Sequence, residues 1–263
     1  MQIITSKDNE NIKSIKKLKE KKYREQKNCY IVEGIKIVTE AINEKSKIQK
    51  LVICEELLNK NSINKSFLSE IKNYACLYVS ESVFKNISDV SNPQGVLAII
   101  EKNNNKNNID YNQDFIVILD DVQDPGNIGT ILRTVDSVGI TQIIMSSNCG
   151  DVYNPKVVRS TMGAIFRVKV IRTDSIVNTI EEIQNNKFKV IATDLNTNKD
   201  IYSIDYKKTA IVIGNEANGV SKEVLDKVDE KIMIPMLGKT ESLNASVATG
   251  IILYEYVRQK LGK

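Results

Sequence analysis

The sequence predicts an α/β chain of two domains, the second built on a doubly wound parallel sheet. Strand and helix signals alternate along the whole chain, and the strands of the second half are longer and more apolar. FIVILDD at 115–121 is a near-continuous apolar run, which is typical of a parallel strand buried on both faces. The Asn-rich stretch at 101–114 has no apolar periodicity. We therefore predict domains at 1–102 and 114–263, joined by a linker at 103–113.

The composition is that of a globular protein, with 263 residues of which 41% are hydrophobic and 27% charged. There is no run of 18 apolar residues and no apolar core near the start, so we expect a cytoplasmic protein without a membrane segment. The chain has no histidine, which removes the commonest general base and a common metal ligand. The four cysteines show no CxxC spacing and are expected as buried thiols, and no metal is expected.

The first domain is predicted to open with a basic helix over 9–21, whose apolar face carries Ile12, Ile15 and Leu18. Residues 1–27 hold 9 basic and 4 acidic side chains. This excess favours a phosphate-rich partner, and a solvated helix face with Lys–Glu pairs is the alternative. The remaining predicted elements of this domain are strands at 29–32, 50–54, 77–79 and 95–100, and helices at 35–42, 65–74 and 81–87.

The second domain is predicted to have six strands, and its ligand should bind beyond their carboxyl ends. No G-x-G-x-x-G or P-loop motif is present, so binding of NAD or ATP in the standard way is disfavoured. The predicted strands are 115–121, 141–146, 167–171, 189–194, 209–214 and 231–234, and the predicted helices are 126–138, 155–162 and 243–261.

Three loops at strand ends are rich in hydrogen-bonding groups. In DDVQDPGNIGTILRT (120–134), Asn127 should lie in the first turn of a helix, and Arg133 about 240° further around the helix axis, so the two would meet a ligand from different directions. The alternative is that Asn127 caps the helix and Arg133 is an ordinary surface charge. In IVIGNEANGVSKEV, Glu216 at the strand edge is either a site carboxylate or a salt-bridge partner. In IPMLGKTESLNASVATG (234–250), small polar residues crowd a helix start, where free N–H groups receive oxygen-rich ligands. Capping by Ser242 is the plain interpretation of that third loop.

These three loops, in this order, resemble the three motifs of the SpoU (TrmH-type) RNA 2′-O-ribose methyltransferases of the SPOUT class. The resemblance covers 115–257 and follows NIGTILRT, GNEANGVS and IPMLGKTESLNASVATG nearly letter for letter. The N-terminal part is similar to an L30e-like substrate-binding domain, and SKDNENIKSIKKLKEKKYR…YIVEG resembles a subgroup that acts on 23S ribosomal RNA.

The resemblance implies a parallel sheet with helices on both faces and a deep trefoil knot, S-adenosylmethionine as cofactor, and a homodimer packed through the knotted domain. It implies that cofactor contacts come from Thr193, Leu195, Gly214, Glu216, Ile234, Met236, Leu243 and Ser246. Arg133 would clamp the RNA phosphate and stabilise the developing alkoxide, because arginine stays protonated. The ribose would be positioned, and Arg133 held in place, by Asn127, Glu216, Ser242 and Asn244. RNA phosphates would meet Lys16, Lys17, Lys21, Lys22 and Arg24.

Three other functions compete with this interpretation. A transfer-RNA 2′-O-methyltransferase is disfavoured by the full extra domain at the N-terminus. A catalytically silent RNA-binding ribosome-assembly protein would have no need of five intact motif residues. A dinucleotide dehydrogenase lacks its fingerprint.

Overall fold

The computed structural model describes residues 2–60, 65–102 and 108–262, and these form two compact units. The first unit contains the described residues before 105 together with Tyr153–Phe166, and the second contains the remainder. Residues 103–107 of the predicted linker lie outside the described residues. The segment Tyr153–Phe166 belongs to the first unit, and its Val158 side chain is buried in the core of that unit.

The first unit is built on a mixed five-stranded sheet, with strand order β1-β4-β3-β5-β2. β1, β4 and β3 run parallel, whereas β5 is antiparallel to both β3 and β2. Its strands are β1 (Ile3–Ile4), β2 (Cys29–Glu33), β3 (Ile48–Ile53), β4 (Cys76–Val79) and β5 (Val96–Glu101). Its first six helices are α1 (Glu10–Lys17), α2 (Lys21–Lys27), α3 (Ile35–Asn43), α4 (Glu55–Asn59), α5 (Lys65–Glu70) and α6 (Glu81–Ile87).

The basic N-terminal segment forms two helices, so the prediction of one helix over 9–21 is wrong in its length. The apolar face itself is confirmed, because Ile12, Ile15 and Leu18 are all buried. The chain turns after α1, where Arg24 Nη1 donates to the carbonyls of Leu18 at 2.8 Å and Lys19 at 2.6 Å. The guanidinium satisfies carbonyls that a helix leaves free at its C-terminal end, and no glycine or proline marks this turn in the sequence.

The second unit is built on six strands that are all parallel, in the order β11-β9-β10-β6-β7-β8. The predicted parallel sheet is therefore confirmed. Its strands are β6 (Phe115–Leu119), β7 (Gln142–Ser146), β8 (Lys169–Thr173), β9 (Lys189–Thr193), β10 (Thr209–Ile213) and β11 (Glu230–Ile232). The remaining helices of the chain are α7 (Pro125–Ser137), α8 (Pro155–Ser160) in the segment that clusters with the first unit, α9 (Ile176–Asn185), α10 (Lys222–Leu225) and α11 (Ala245–Lys260).

Helices cover both faces of the parallel sheet. Alternate side chains of a strand point to opposite faces, and Ile116 and Ile118 of β6 share one buried cluster with Ile180 of α9. On the other face, the Phe115 ring lies 4.4 Å from the Tyr256 ring of α11, measured between centroids. The strand order places β6, β10, β9 and β11 side by side, so the polar loops that follow them meet at one edge. Among the described helices, none has the length and apolar character to span a bilayer.

Candidate active site

A cleft of about 560 Å³ opens at the carboxyl edge of the parallel sheet. Its volume lies within the range of small-molecule sites, roughly 300–1,000 Å³. The loops that follow β9, β10 and β11 and the start of α11 form its walls. Of the predicted cofactor residues, those that line it are Thr193, Leu195, Gly214, Glu216, Ile234, Met236 and Leu243. Ser246 is not in the lining: its hydroxyl donates to Asn244 Oδ1 at 2.7 Å.

The segment 234–243 forms one wall of the cleft through Ile234, Met236, Ser242 and Leu243. Within the described part of the chain, residues 234–243 make no hydrogen bond, through backbone or side chain. Backbone N–H and C=O groups at a cleft surface are strong partners for a polar ligand. With Leu195 exposed beside them, these free groups and apolar side chains suit a cofactor that has an adenine ring, a ribose and an amino-acid tail.

The loop after β10 depends on Gly214, because the chain folds back against it. A Cβ at Gly214 would lie 2.1 Å from the carbonyl carbon of Gly219 and from the amide nitrogen of Val220. Asn215 and Gly219 exchange two backbone hydrogen bonds of 2.9 Å, and Gly219 has a φ of 67°. This tight hairpin presents Glu216 at its tip.

The Glu216 carboxylate binds three N–H donors from the loop after β6 and the first turn of α7. Oε1 accepts from Asp124 N at 3.0 Å and from Asn127 Nδ2 at 2.9 Å, and Oε2 accepts from Gln123 N at 3.2 Å. Partial burial raises the pKa of Glu216, but the hydrogen bonds from Asn127 and the two amides outweigh it and hold the pKa below its usual range. Glu216 is therefore an ionised acceptor that joins two motif loops.

Asn127 extends this contact to the third motif loop. Its amide oxygen accepts from Asn244 Nδ2 at 2.8 Å, and Asn244 Oδ1 in turn accepts from the amides of Ser246 at 2.9 Å and Val247 at 3.3 Å. Asn127 lies in the first turn of α7, as predicted, with Asp124 as the N-cap. Glu216, Asn127 and Asn244 thus form one hydrogen-bonded network across three loops.

The residue that caps α11 is Asn244, so the alternative that Ser242 caps this helix is wrong. The helix begins at Ala245, two residues later than predicted, so Ser242 lies outside the cap and lines the cleft. An asparagine at the N-cap accepts from the amides of the first turn, as Ser or Asp would. Several such residues stand at 240–246, so the sequence did not distinguish among them.

Arg133 stands apart from the network. It is exposed on α7, and among the described residues its guanidinium has no hydrogen-bond or ion-pair partner. The side chains of Asn127, Glu216 and Asn244 bond one another and nearby backbone amides. That these three residues and Ser242 hold Arg133 in place stays a prediction. The guanidinium is free to bind an anion.

Further hydrogen bonds at the ends of these strands were missed by sequence reasoning. The buried Asp120 accepts from Ser221 N at 2.8 Å, and Asn215 Nδ2 donates to the Asp121 carbonyl at 2.9 Å. Asp121 is bonded to Ser146, at the end of β7. The available signal was the position of these polar residues at the ends of adjacent apolar strands.

The predicted RNA-contact residues divide into two groups. Four are exposed on α1 and α2: Lys16, Lys17, Lys21 and Lys22. Arg24 is only 2% exposed, and its guanidinium binds two carbonyls of the turn between these helices. Its assignment as a phosphate contact is therefore corrected to a structural one, because a buried side chain cannot reach a phosphate.

Fold and site together define a class, namely an α/β domain that binds a small cofactor through loops at the carboxyl edge of a parallel sheet. Residues 114–254 match the SpoU rRNA Methylase family, and residues 9–98 match the MRM3-like substrate binding domain. The first match spans more than half of the chain. The chain belongs to the SpoU rRNA Methylase family.

Relatives extend this similarity over nearly the whole chain. The 23S rRNA (guanosine(2553)-2′-O)-methyltransferase RlmP of Bacillus subtilis is 29% identical over 255 residues, which are 97% of this chain and 98% of that protein. The AdoMet-bound rRNA methyltransferase of Sinorhizobium meliloti is 31% identical, with a TM-score of 0.85 over 99% of this chain and 98% of that one. The SpoU methyltransferase AviRb of Streptomyces viridochromogenes, in complex with AdoMet, is 25% identical, with a TM-score of 0.84 over 96% and 98% of the two chains.

The comparisons identify the chain as an enzyme, an S-adenosylmethionine-dependent methyltransferase. The lining of the cleft fits that cofactor through its volume, its apolar side chains and its free backbone groups. No group of three or more His, Cys, Asp or Glu side chains that could hold a metal ion occurs in the described ranges.

Proposed function

We propose that this enzyme methylates a ribose 2′-hydroxyl of 23S ribosomal RNA. The observation that carries the proposal is the network of Glu216, Asn127 and Asn244, which joins all three motif loops beside the cofactor cleft. The match of residues 9–98 to a substrate-binding domain supports a large RNA substrate. The relative RlmP, which aligns along almost the entire chain, is named for a 23S rRNA ribose methylation.

We assign cofactor binding to the side chains and backbone of the cleft. S-adenosylmethionine supplies a methyl group on a positively charged sulfur, so the protein mainly orients the two reactants. Leu195, Ile234 and Leu243 provide apolar contact, and the free backbone groups of 234–243 provide hydrogen bonds. We also assign Ser246 to this site. It does not line the cleft, and it acts through the hydrogen bond that its hydroxyl donates to Asn244.

We assign the Glu216 carboxylate a positioning role. A base that removes the proton of the 2′-hydroxyl needs a free lone pair directed at the substrate. Three of the roughly four acceptor positions of the Glu216 carboxylate are taken by donors of the protein, and these bonds lower its pKa and hence its basicity. Ser242 lines the cleft and makes no hydrogen bond within the described ranges. Its hydroxyl is therefore available to the ribose.

We assign Arg133 to the RNA phosphate next to the target ribose. Arginine stays protonated, and its planar fork matches phosphate oxygens. The same positive charge would stabilise the alkoxide that develops when the hydroxyl loses its proton. The exposed, unpartnered guanidinium supports this role, because binding a phosphate there breaks no existing contact among the described residues.

We propose that the N-terminal domain at 1–102 binds RNA and that the domain at 114–263 performs catalysis. The exposed lysines of α1 and α2 form a basic surface that is suited to phosphates. The trefoil knot and a cytoplasmic location remain part of this proposal.

We propose a homodimer that covers the outer face of α11. Val247 is 51% exposed and Tyr254 56% exposed, and their spacing of seven residues places them on one face of the helix. The opposite face is already buried, with Ile252 and Leu253 inaccessible to solvent. Exposed apolar side chains that share a helix face suit burial against a partner, and a second copy of the chain would cover this stripe.

The decisive experiment maps 2′-O-methyl groups in ribosomal and transfer RNA from cells with and without the gene. We expect one 23S ribosomal site to disappear when the gene is deleted. Loss of a transfer-RNA site would instead favour the transfer-RNA alternative. Unchanged methylation, with no calorimetric heat for S-adenosylmethionine, would favour the silent RNA-binding protein.

A further inference from the structure

We propose that Asp121 and Asn215 are positioning residues that hold the Glu216 hairpin in the geometry that binds the cofactor. The proposal goes beyond the network of Glu216, Asn127 and Asn244, and it rests on the use of S-adenosylmethionine by this enzyme. Both residues lie in the second unit, at the ends of the neighbouring strands β6 and β10. Neither was given a role above, although Asn215 is part of the cleft lining.

The Asn215 side chain makes three hydrogen bonds at the base of the hairpin. Its Oδ1 accepts from the amides of Ala217 at 3.0 Å and Asn218 at 3.1 Å, which shapes the turn that carries Glu216. Its Nδ2 donates to the Asp121 carbonyl at 2.9 Å. One side chain therefore shapes the hairpin and joins it to the exit of β6.

The direction of the Asp121 carbonyl depends on an unusual backbone. Asp121 has a φ of 57°, in the left-handed region that costs an L-residue with a Cβ roughly 1–2 kcal/mol. Asp and Asn visit this region more often than other residues with a Cβ. The left-handed residue turns the chain just before Gln123 and Asp124, whose amides donate to Glu216.

The Asp121 conformation is secured by the loop after β7. Ser146 Oγ accepts from Asp121 N at 3.0 Å and donates to Asp121 Oδ1 at 2.6 Å, and Asn148 Nδ2 donates to Oδ2 at 3.2 Å. Arg172 fixes that loop in turn, because its Nη1 donates to the carbonyls of Ser146 at 2.9 Å and Cys149 at 3.0 Å. The left-handed turn is therefore held from the side opposite Asn215.

Asp121 and the loop after β7 support the hairpin from behind, whereas the hairpin itself lines the cofactor cleft. Gly214, Asn215 and Glu216 line the cleft in consecutive positions, so a shift of the hairpin changes its wall. If Asp121 leaves the left-handed conformation, the Asn215 bond is lost and the hairpin samples other positions. When the competent form falls to about a tenth of the population, the apparent Kd rises about tenfold.

The test is a series of substitutions at Asp121, measured by calorimetry with S-adenosylmethionine on the full chain. Asp121→Ala removes both carboxylate bonds and opposes the left-handed backbone, so we expect the Kd to rise about tenfold, which equals about 1.4 kcal/mol. Asp121→Gly also removes the carboxylate but adopts this backbone freely, and we expect a rise of about threefold or less. Glu223→Ala is the matched control and should leave the Kd unchanged, because Glu223 is exposed and makes no hydrogen bond or ion pair among the described residues.

Asn215→Ala and the double variant with Asp121→Ala complete the series. If Asp121 and Asn215 act through the hydrogen bond between them, the Kd of the double variant for S-adenosylmethionine should be about that of the weaker-binding single variant. Independent roles would instead multiply the two increases in Kd. A purely structural role predicts lower melting temperatures with an unchanged Kd, and that result would overturn the proposal. Equal losses in Asp121→Ala and Asp121→Gly would overturn it too, because the left-handed backbone would then be irrelevant. A wild-type chain that binds no cofactor would instead refute the enzyme's assignment.

Discussion

Replacement of Glu216 by glutamine tests the central network of the site. In the structure the carboxylate accepts from Asp124 N, Gln123 N and Asn127 Nδ2 at 2.9–3.2 Å. Glutamine keeps the shape but turns one acceptor oxygen into a donor, which then faces an N–H group. A hydrogen bond to a charged group contributes about 1.5–3 kcal/mol, against about 0.5–1.5 kcal/mol between neutral groups. Glu216 is partly exposed to solvent, so we expect a loss of about 1–2 kcal/mol in unfolding free energy.

The loss should depend on pH with a defined sign. The pKa of Glu216 is held below its usual value of 4.5 in the folded chain. A lowered pKa stabilises the fold above the unfolded value, and the contribution disappears as pH falls through the folded value. The wild type should therefore exceed Glu216→Gln in stability at pH 7, and the difference should shrink below about pH 4.5.

Thermal unfolding at several pH values between 7 and 3 measures this difference. At pH 7 the expected loss corresponds to a melting temperature lower by about 2–8 °C. Glu223→Gln is a suitable control, because Glu223 is exposed and has no hydrogen-bond or ion-pair partner among the described residues. A Glu216→Gln deficit that stays constant down to pH 3, or that grows as pH falls, would refute the reasoning.

Three further predictions concern catalysis, the cap of α11 and RNA binding. Arg133→Ala should lower kcat by about 10²–10³-fold, as for loss of a donor to a developing oxyanion, with an unchanged calorimetric Kd for S-adenosylmethionine; near-normal turnover would remove Arg133 from the mechanism. Asn244→Ala should lower the unfolding free energy by about 1 kcal/mol through the lost cap, and it should also lower the rate of methyl transfer. Asn244→Ser can still cap the helix but cannot reach Asn127 in the same way. It should therefore restore stability more than activity. Four exposed lysines should be neutralised together, namely Lys16, Lys17, Lys21 and Lys22. We expect weaker RNA binding, a dependence of log K on log salt concentration that is smaller in slope by up to about 4, and an unchanged cofactor Kd. An unchanged slope would exclude these lysines as phosphate contacts.

Much of the secondary structure could be predicted because it follows from local patterns. The apolar run at 115–121 predicted β6, observed as Phe115–Leu119, and helix α6 was predicted with its observed bounds, Glu81–Ile87. The short elements β1 and α4 were missed, because two and five residues are too few for periodicity to show. Helix α9 was also missed, although its buried Ile176, Ile180 and Ile183 recur at helical spacing. The prediction of a single N-terminal helix was wrong, and the carbonyls at the end of α1 are bound by the Arg24 side chain, six residues beyond Leu18.

The site shows the same division between local and distant information. The sequence alone determined which strands end in polar loops and that the chain has no histidine for acid–base work, and motif resemblance named the family. Only the tertiary structure decided that Glu216 bonds Asn127, that Asn127 bonds Asn244, and that Arg133 stays outside this network. The partners in the first two bonds are 89 and 117 positions apart. The order of the parallel strands brings them together, and hydrogen-bond geometry then selects the pairs, so neither follows from the local pattern of residues.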